Sequence, residues 1–403
     1  MSQLLQEKFK KLDKISDGFN KKIGKTVLGR LSKNEDLKKK LQISFIPTPS
    51  LNVNEAMGGG IPIGRTTIIS GISDSGKTFL LLETIGYNMK INPNFVVGWL
   101  ESEKSLSEKD LDLFGIDKER FLYMEIDKTG AAEQAMDLVE SVIGTGSVDM
   151  FVVNSLKCLV PSEEFKKNMG EATVGLQARF NAKMMRKLTT TIAETETAFI
   201  LIQHLTTQIG SMSRDPLTLA GGVAIKHGAS IIVDMRKKSI SDSDPIKKEE
   251  GLKVGFNIRK NHVVTNRFPY VKTEYFAIFG QGIEKYLEAL DIAIENGIIN
   301  QSGAWLSMID PNTGEVALDK NANPLKWNGK SKFRVYCIEN PDFFTSLQGR
   351  LSGKIEDIEG EELEEIKKQE EKDKEEEAAL DEEAILDEED VIEKSKSKSK
   401  DKK

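Results

Sequence analysis

Gly71-Ile72-Ser73-Asp74-Ser75-Gly76-Lys77-Thr78 is a complete G-x-x-x-x-G-K-T. It follows the apolar run Thr67-Ile68-Ile69 and opens into Phe79-Leu80-Leu81-Leu82, which reads as the start of a helix. The motif needs that strand–turn–helix setting, because loop amides and a helix N-terminus must converge on phosphate oxygens. Its glycines allow backbone shapes and close approach that a side chain would block. On this reading Gly71, Ser73, Asp74, Ser75, Gly76, Lys77 and Thr78 cradle a nucleotide. Lys77 reaches the β- and γ-phosphates, and the Thr78 hydroxyl holds a metal ion, so ATP and Mg²⁺ are the expected ligands.

Working outward, short apolar runs lie at 66–70, 95–100, 150–153, 198–202, 230–234, 255–259 and 274–279, with helical stretches between the earlier ones. Such runs predict βα units and a parallel sheet covered on both faces, an α/β fold. The later runs are spaced like hairpins, so the far edge is expected to be antiparallel. The run at 95–100 ends in Glu101-Ser102-Glu103. Carboxylates there fall on the ligand side of an open sheet and could deprotonate an attacking water, or they are solvated loop charges. The run at 149–153 is placed to end in the Walker-B aspartate but ends in Asn154-Ser155. An asparagine can accept a hydrogen bond from a metal-bound water without supplying charge, so weaker metal binding or turnover is expected. The run at 198–202 ends in Gln203-His204, either a γ-phosphate sensor or a satisfied strand end.

The chain has 403 residues, 38% of them hydrophobic and 30% charged, enough apolar material for a sizeable core. No apolar run approaches the roughly 18 residues of a membrane span. Two cysteines, Cys158 and Cys337, make neither a disulfide framework nor a zinc site. Three scattered histidines do not suggest a metal centre, and a reducing cytoplasm is the expected home. The net charge of −7 is uneven: residues 355–403 hold 22 acidic and 10 basic side chains, residues 1–42 hold 5 and 12. A basic body with an acidic tail suits a protein that meets a polyanion, although such a tail also serves as a solubiliser.

Four segments are expected: an N-terminal helical segment at 1–44, a nucleotide-binding core at 45–280, a small α/β domain at 281–354, and an acidic disordered tail at 355–403. The first carries an apolar helical stripe of Leu4, Leu5, Phe9, Leu12 and Ile15. Pro47 and Pro49 mark its end.

Together these pieces resemble the RecA-type recombinases, and most closely their phage branch, the UvsX type. The resemblance runs from about Phe45 to Trp305. It begins with Pro49-Ser50-Leu51-Asn52-Val53-Asn54-Glu55-Ala56 and with Gly58 to Arg65, which lead into the phosphate loop. It implies a RecA-type P-loop core and places the catalytic glutamate on Glu103. Gly175-Leu176-Gln177-Ala178-Arg179 and Met184 to Leu188 are similar to the helix after the first DNA-binding loop, implying DNA-backbone contact by Arg179 and Arg186. These two are seven apart and share a helical face. The segment from 209 to 222 is similar to the second DNA-binding loop, with Gly210, Arg214, Gly221 and Gly222. The family's γ-phosphate glutamine falls on His204, after Gln203. Arg259-Lys260-Asn261-His262 resembles a Lys-x-Lys that reaches the neighbouring subunit's ATP, with His262 in place of the second lysine. The bacterial adenine-stacking tyrosine is missing, Asp110 lying near its place.

The resemblance implies an ATP-dependent DNA recombinase, a DNA-dependent ATPase. It would form helical filaments with copies of itself on single-stranded DNA and exchange strands with double-stranded DNA. A loader and a single-strand-binding protein would assist, no membrane would be involved, and a phage-encoded protein would act in the host cytoplasm. A RecA-core hexameric helicase and a nucleotide-gated DNA scaffold with little ATPase activity are the alternatives.

Overall fold

The computed structural model describes residues 3–126, 132–168, 171, 175–207, 217–219, 222–241, 244–263, 271–319 and 322–351. The chain divides into two compact units, Met1–Glu288 and Ala289–Lys403.

The first unit is built on a ten-stranded sheet. Its strands are β1 (Thr66–Gly71), β2 (Val97–Glu101), β3 (Phe121–Glu125), β4 (Met150–Asn154) and β5 (Ala198–Thr207), then β6 (Leu217–Leu219), β7 (Ile231–Lys238), β8 (Gly251–Asn261), β9 (Lys272–Ile278) and β10 (Gly282–Ile283). Their spatial order is β10-β9-β8-β7-β1-β5-β4-β2-β3, with β6 paired to β5. From β3 across to β7 the neighbours run parallel. From β7 to β10 they run antiparallel, as the hairpin-like spacing predicts. The β7–β8 register shifts between Ile258 and Lys260, which leaves Arg259 as the extra residue of a β-bulge.

Parallel strands need crossover connections, and helices supply them. Helix α1 spans Gln3–Ile23, α2 Leu51–Met57, α3 Lys77–Ile91, α4 Ala132–Gly144, α5 Leu176–Thr195, α6 Val223–Gly228 and α7 Lys285–Glu295. One face of the sheet buries Trp99, Phe256 and Tyr275 with Leu81 and Ile85 of α3. The other buries Phe151 and Phe199 with Val139 of α4 and Met184 and Leu188 of α5. These strands are apolar on both sides because both faces are covered.

Helix α1 leaves Leu4, Leu12, Ile15 and Phe19 of its apolar stripe exposed. It is braced by the segment after it: Asp13 pairs with Arg30 and Lys33, and Asn20 accepts the Val27 and Leu28 amides. Ser50 caps α2, and Glu288 accepts the Ser50 hydroxyl at 2.8 Å.

In the second unit, β11 (Ile299–Ser302), β12 (Trp305–Met308) and β13 (Lys326–Asn328) form an antiparallel sheet, followed by α8 (Lys330–Glu339) and α9 (Pro341–Leu351). Trp327 packs against Phe333, Tyr336 and Phe343 with ring centroids 5.0, 5.3 and 5.8 Å away. The acidic segment 355–403 lies outside the described residues.

Candidate nucleotide site

Strands β1, β2 and β4 end at one edge of the sheet, and β5 passes that edge at His204. Gly71 stands opposite His204 and Glu101 opposite Asn154. The loop from β1 to α3 turns at this edge, with Asp74 at φ 58° and Gly76 at φ 84°. A Cβ on Gly71 would collide with the Ser75 hydroxyl and the Met235 carbonyl, so only glycine fits there.

The loop opens onto a cleft of about 310 Å³ lined by Ser73, Asp74, Ser75, Gly76, Lys77 and Thr78 on one side. Glu103, Ser105, Asn154 and His204 line the other. Lys77 is buried and folds back on its own loop, donating to the Ile72 carbonyl at 2.8 Å and the Gly71 carbonyl at 3.3 Å. Burial pulls its ammonium pKa below the ordinary lysine value, and Glu103 and Asp74 oppose that shift. A phosphate entering the cleft could replace those carbonyls as the lysine's partner.

Glu103 is held from two sides. Ser155 donates its hydroxyl to Glu103 Oε1, and His204 Nε2 lies 2.9 Å from the same oxygen. Beneath it, Glu101 is fully buried and accepts Trp99 Nε1 at 3.0 Å, Asn154 Nδ2 at 2.9 Å and the Glu103 amide at 2.9 Å. A carboxylate can only accept, so the amino end of Asn154 must face Glu101 and its oxygen must point away. That oxygen is buried without a hydrogen-bond partner. An orphaned acceptor and the Thr78 hydroxyl in the same cleft are groups suited to Mg²⁺ and its waters, so these residues fit the ion that accompanies ATP.

Sequence reasoning named Glu103, Lys77, Thr78, Asn154, His204 and residues 73–76, and the cleft brings these together. Gln203 is buried beside it, opposite Ser70, and does not line it. Lys260 and His262 lie in a different cleft of about 610 Å³, with Lys226, His227, Asp234 and Arg259. There Lys260 Nζ donates to the carbonyls of Lys226, His227 and Ala229 at 2.8, 3.0 and 2.6 Å, closing the C-terminal end of α6. Asp234 is buried and pairs with both Arg236 and Arg259. Arg179 and Arg186 are both exposed on α5, Arg179 at 3.8 Å from Glu163. Gly222 (φ 90°) precedes α6, while Gly210, Arg214 and Gly221 lie outside the described residues. Glu101 was read only as one of two candidate carboxylates at this edge, and Ser105 and the Ser155 hydroxyl were not singled out, since a residue next to a loop carries no sequence mark of its burial.

A phosphate-binding loop between the central strand of a mostly parallel sheet and its helix, faced by a glutamate just beyond the end of another strand at the same edge of that sheet, defines a P-loop ATPase. The sequence profile of the RecA N-terminal domain matches residues 10–284. Protein RecA of Aquifex aeolicus (strain VF5) is 34% identical over 372 residues, 90% of this chain and 99% of that protein. Protein RecA of Thermus aquaticus is 32% identical over 350 residues, 86% of this chain and 94% of its own length. The chain belongs to the RecA family, whose members are DNA-dependent ATPases of the P-loop type.

Proposed function

We propose that this protein is an ATP-dependent recombinase that assembles head to tail on single-stranded DNA and exchanges strands with a homologous duplex. The observation that carries this reading is the cleft in which Lys77, Thr78, Glu103, Asn154 and His204 converge. Lys77 binds the β- and γ-phosphates, and Glu103 takes the proton of the attacking water while Ser155 and His204 fix its carboxylate. When bound at Thr78, Mg²⁺ supplies positive charge against the phosphates. Lys260 and His262 reach the nucleotide of a neighbouring protomer, a role supported by their place in a cleft apart from the phosphate loop. A heterologous contact of this kind builds an open helix when its rotation does not close a ring.

The exposed stripe of α1 in the segment 1–44 would dock on the adjacent protomer, and the core at 45–280 would carry ATP and DNA. Arg179, Arg186 and the residues around Gly210, Arg214, Gly221 and Gly222 would hold DNA, largely through its phosphates. The small domain at 281–354 and the acidic tail would complete the chain, with a loader and a single-strand-binding protein as accessory partners in a cytoplasm. His204 in place of glutamine, and Asp110 near the tyrosine's place, depart from the bacterial pattern, and the resemblance taken as a whole supports the phage, UvsX-type branch. Asn154 favours a second reading, a DNA scaffold gated by nucleotide that barely hydrolyses it.

The deciding experiment is steady-state ATP hydrolysis with and without long single-stranded DNA, with Lys77→Ala as the blank. DNA-stimulated turnover abolished by Lys77→Ala is expected. DNA binding in ATP with no turnover above the blank would sink the recombinase reading and leave the scaffold.

A further inference from the structure

We propose that Glu101 is a positioning residue of the cleft, forming with Asn154 a single carboxylate–amide unit that aims Asn154 Oδ1 at the metal-binding side. This rests on reading the cleft as an ATP site.

Each oxygen of Glu101 has its own task. Oε2 accepts Trp99 Nε1 and Asn154 Nδ2 at 3.0 and 2.9 Å, and Oε1 accepts the Glu103 amide at 2.9 Å. Ser105 closes the ring: its hydroxyl accepts Asn154 Nδ2 at 3.1 Å and lies 3.4 Å from Glu101 Oε1. One buried carboxylate therefore fixes both the main chain that carries Glu103 and the amide that lines the cleft opposite the phosphate loop. The negative charge that an aspartate at 154 would bring is already present one strand away, at the partner register position. It is delivered as orientation, because the Asn154 oxygen left over is the one without a protein partner.

The arrangement makes Asn154 more than a weakened aspartate. An aspartate in its place would set two carboxylates face to face with only the Ser105 hydroxyl beside them, and like charges so close and so buried repel strongly. Asn154→Asp, the substitution that restores the family's usual residue, is therefore damaging while Glu101 is present. Glu101→Gln removes the acceptor-only character that locks the amide, so Asn154 is free to turn its amino end to the cleft.

The test uses the full-length protein with Glu101→Gln, Asn154→Asp, the double variant, and Ser105→Ala as a mild change at an exposed position. Two quantities are read: Tm without nucleotide or metal, and the Mg²⁺ concentration that half-saturates hydrolysis and fluorescent-ATP binding. Loss of such a supporting contact raises the Mg²⁺ requirement about tenfold or more for Glu101→Gln, and about two- to threefold for Ser105→Ala. ATP binding measured without Mg²⁺ stays within about twofold of the parent. Asn154→Asp lowers Tm in the parent but not further in the Glu101→Gln background, so the two changes are strongly non-additive. An unchanged Mg²⁺ requirement in Ser105→Ala and Glu101→Gln would overturn the proposal. So would additive Tm losses, or an Asn154→Asp variant with parental Tm and faster turnover. If the parent itself fails to bind ATP, it is the ATP-site reading that falls.

Discussion

His204 Nε2 lies 2.9 Å from Glu103 Oε1, so β5 grips the carboxylate that faces the phosphate loop. Ser155 reaches the same oxygen from the end of β4, and together they hold Glu103 between two strands.

Replacing Glu103 with glutamine keeps the shape and removes the base. ATP hydrolysis should fall by about 10²–10⁴ while nucleotide affinity changes little. His204→Ala should cost about tenfold through one lost hydrogen bond to a charged group, and His204→Gln, which can still donate, should recover most of it. Steady-state kinetics with and without DNA check both; a fully active Glu103→Gln would remove Glu103 from the chemistry.

Gly86 sits in α3 where a Cβ would collide with the Phe114 carbonyl. Gly86→Ala should destabilise the protein by about 1–3 kcal/mol, because a backbone carbonyl cannot swing aside as a side chain can. Thermal or urea unfolding measures this. A gain in stability, the usual result of glycine to alanine in a helix, would show that the carbonyl gives way.

Burial pushes the Glu83 carboxyl up to about 7, with Lys285 and the Ile283 amide opposing. In the unfolded chain it titrates near about 4.3, so the folded protein holds the proton more tightly. The stability this gives is complete below the unfolded value and is lost as pH rises to about 7. Glu83→Gln should therefore be more stable than the parent at pH 8, by a gap on the order of 3 kcal/mol or less. The gap should close towards pH 4–5, and urea titrations across that range would refute the idea by showing a constant offset.

Deleting residues 355–403 removes 22 acidic and 10 basic side chains. If the segment competes with DNA for basic surface, its loss should tighten single-strand binding about tenfold at low salt and hardly at all at high salt. Fluorescence anisotropy at two ionic strengths reads this directly. Equal affinities at both would assign the segment to solubility alone.

The phosphate loop and the buried strands were legible because both are local signals: a fixed spacing of glycines and lysine, and continuous apolar runs. β3 was missed although Phe121-Leu122-Tyr123-Met124 is itself an apolar run, and its Leu122 and Tyr123 are left exposed at the sheet edge. The short strands around Trp305 and Trp327 carry little local signal because several of their residues face solvent. The roles of Glu101 and Gln203 depend on burial created by distant strands. Spacing along the chain could place both near the ligand edge but could not say that one organises the cleft while the other lies behind it.

The bulge at Arg259 has a consequence of parity. On a regular strand, successive side chains point to opposite faces, so Arg259 and Lys260 could never share one. The extra residue resets the count: Ile258 stands opposite Val233, yet Lys260 stands opposite Ile232, whose side chain belongs to the other layer of the core. Two consecutive cations thereby reach one cleft, with His262 two residues on following Lys260. Removing Arg259 would restore regular alternation and leave the lysine and the histidine where they are, opposite the Ile232 side, so the bulge serves to add a second, adjacent cation to that cleft.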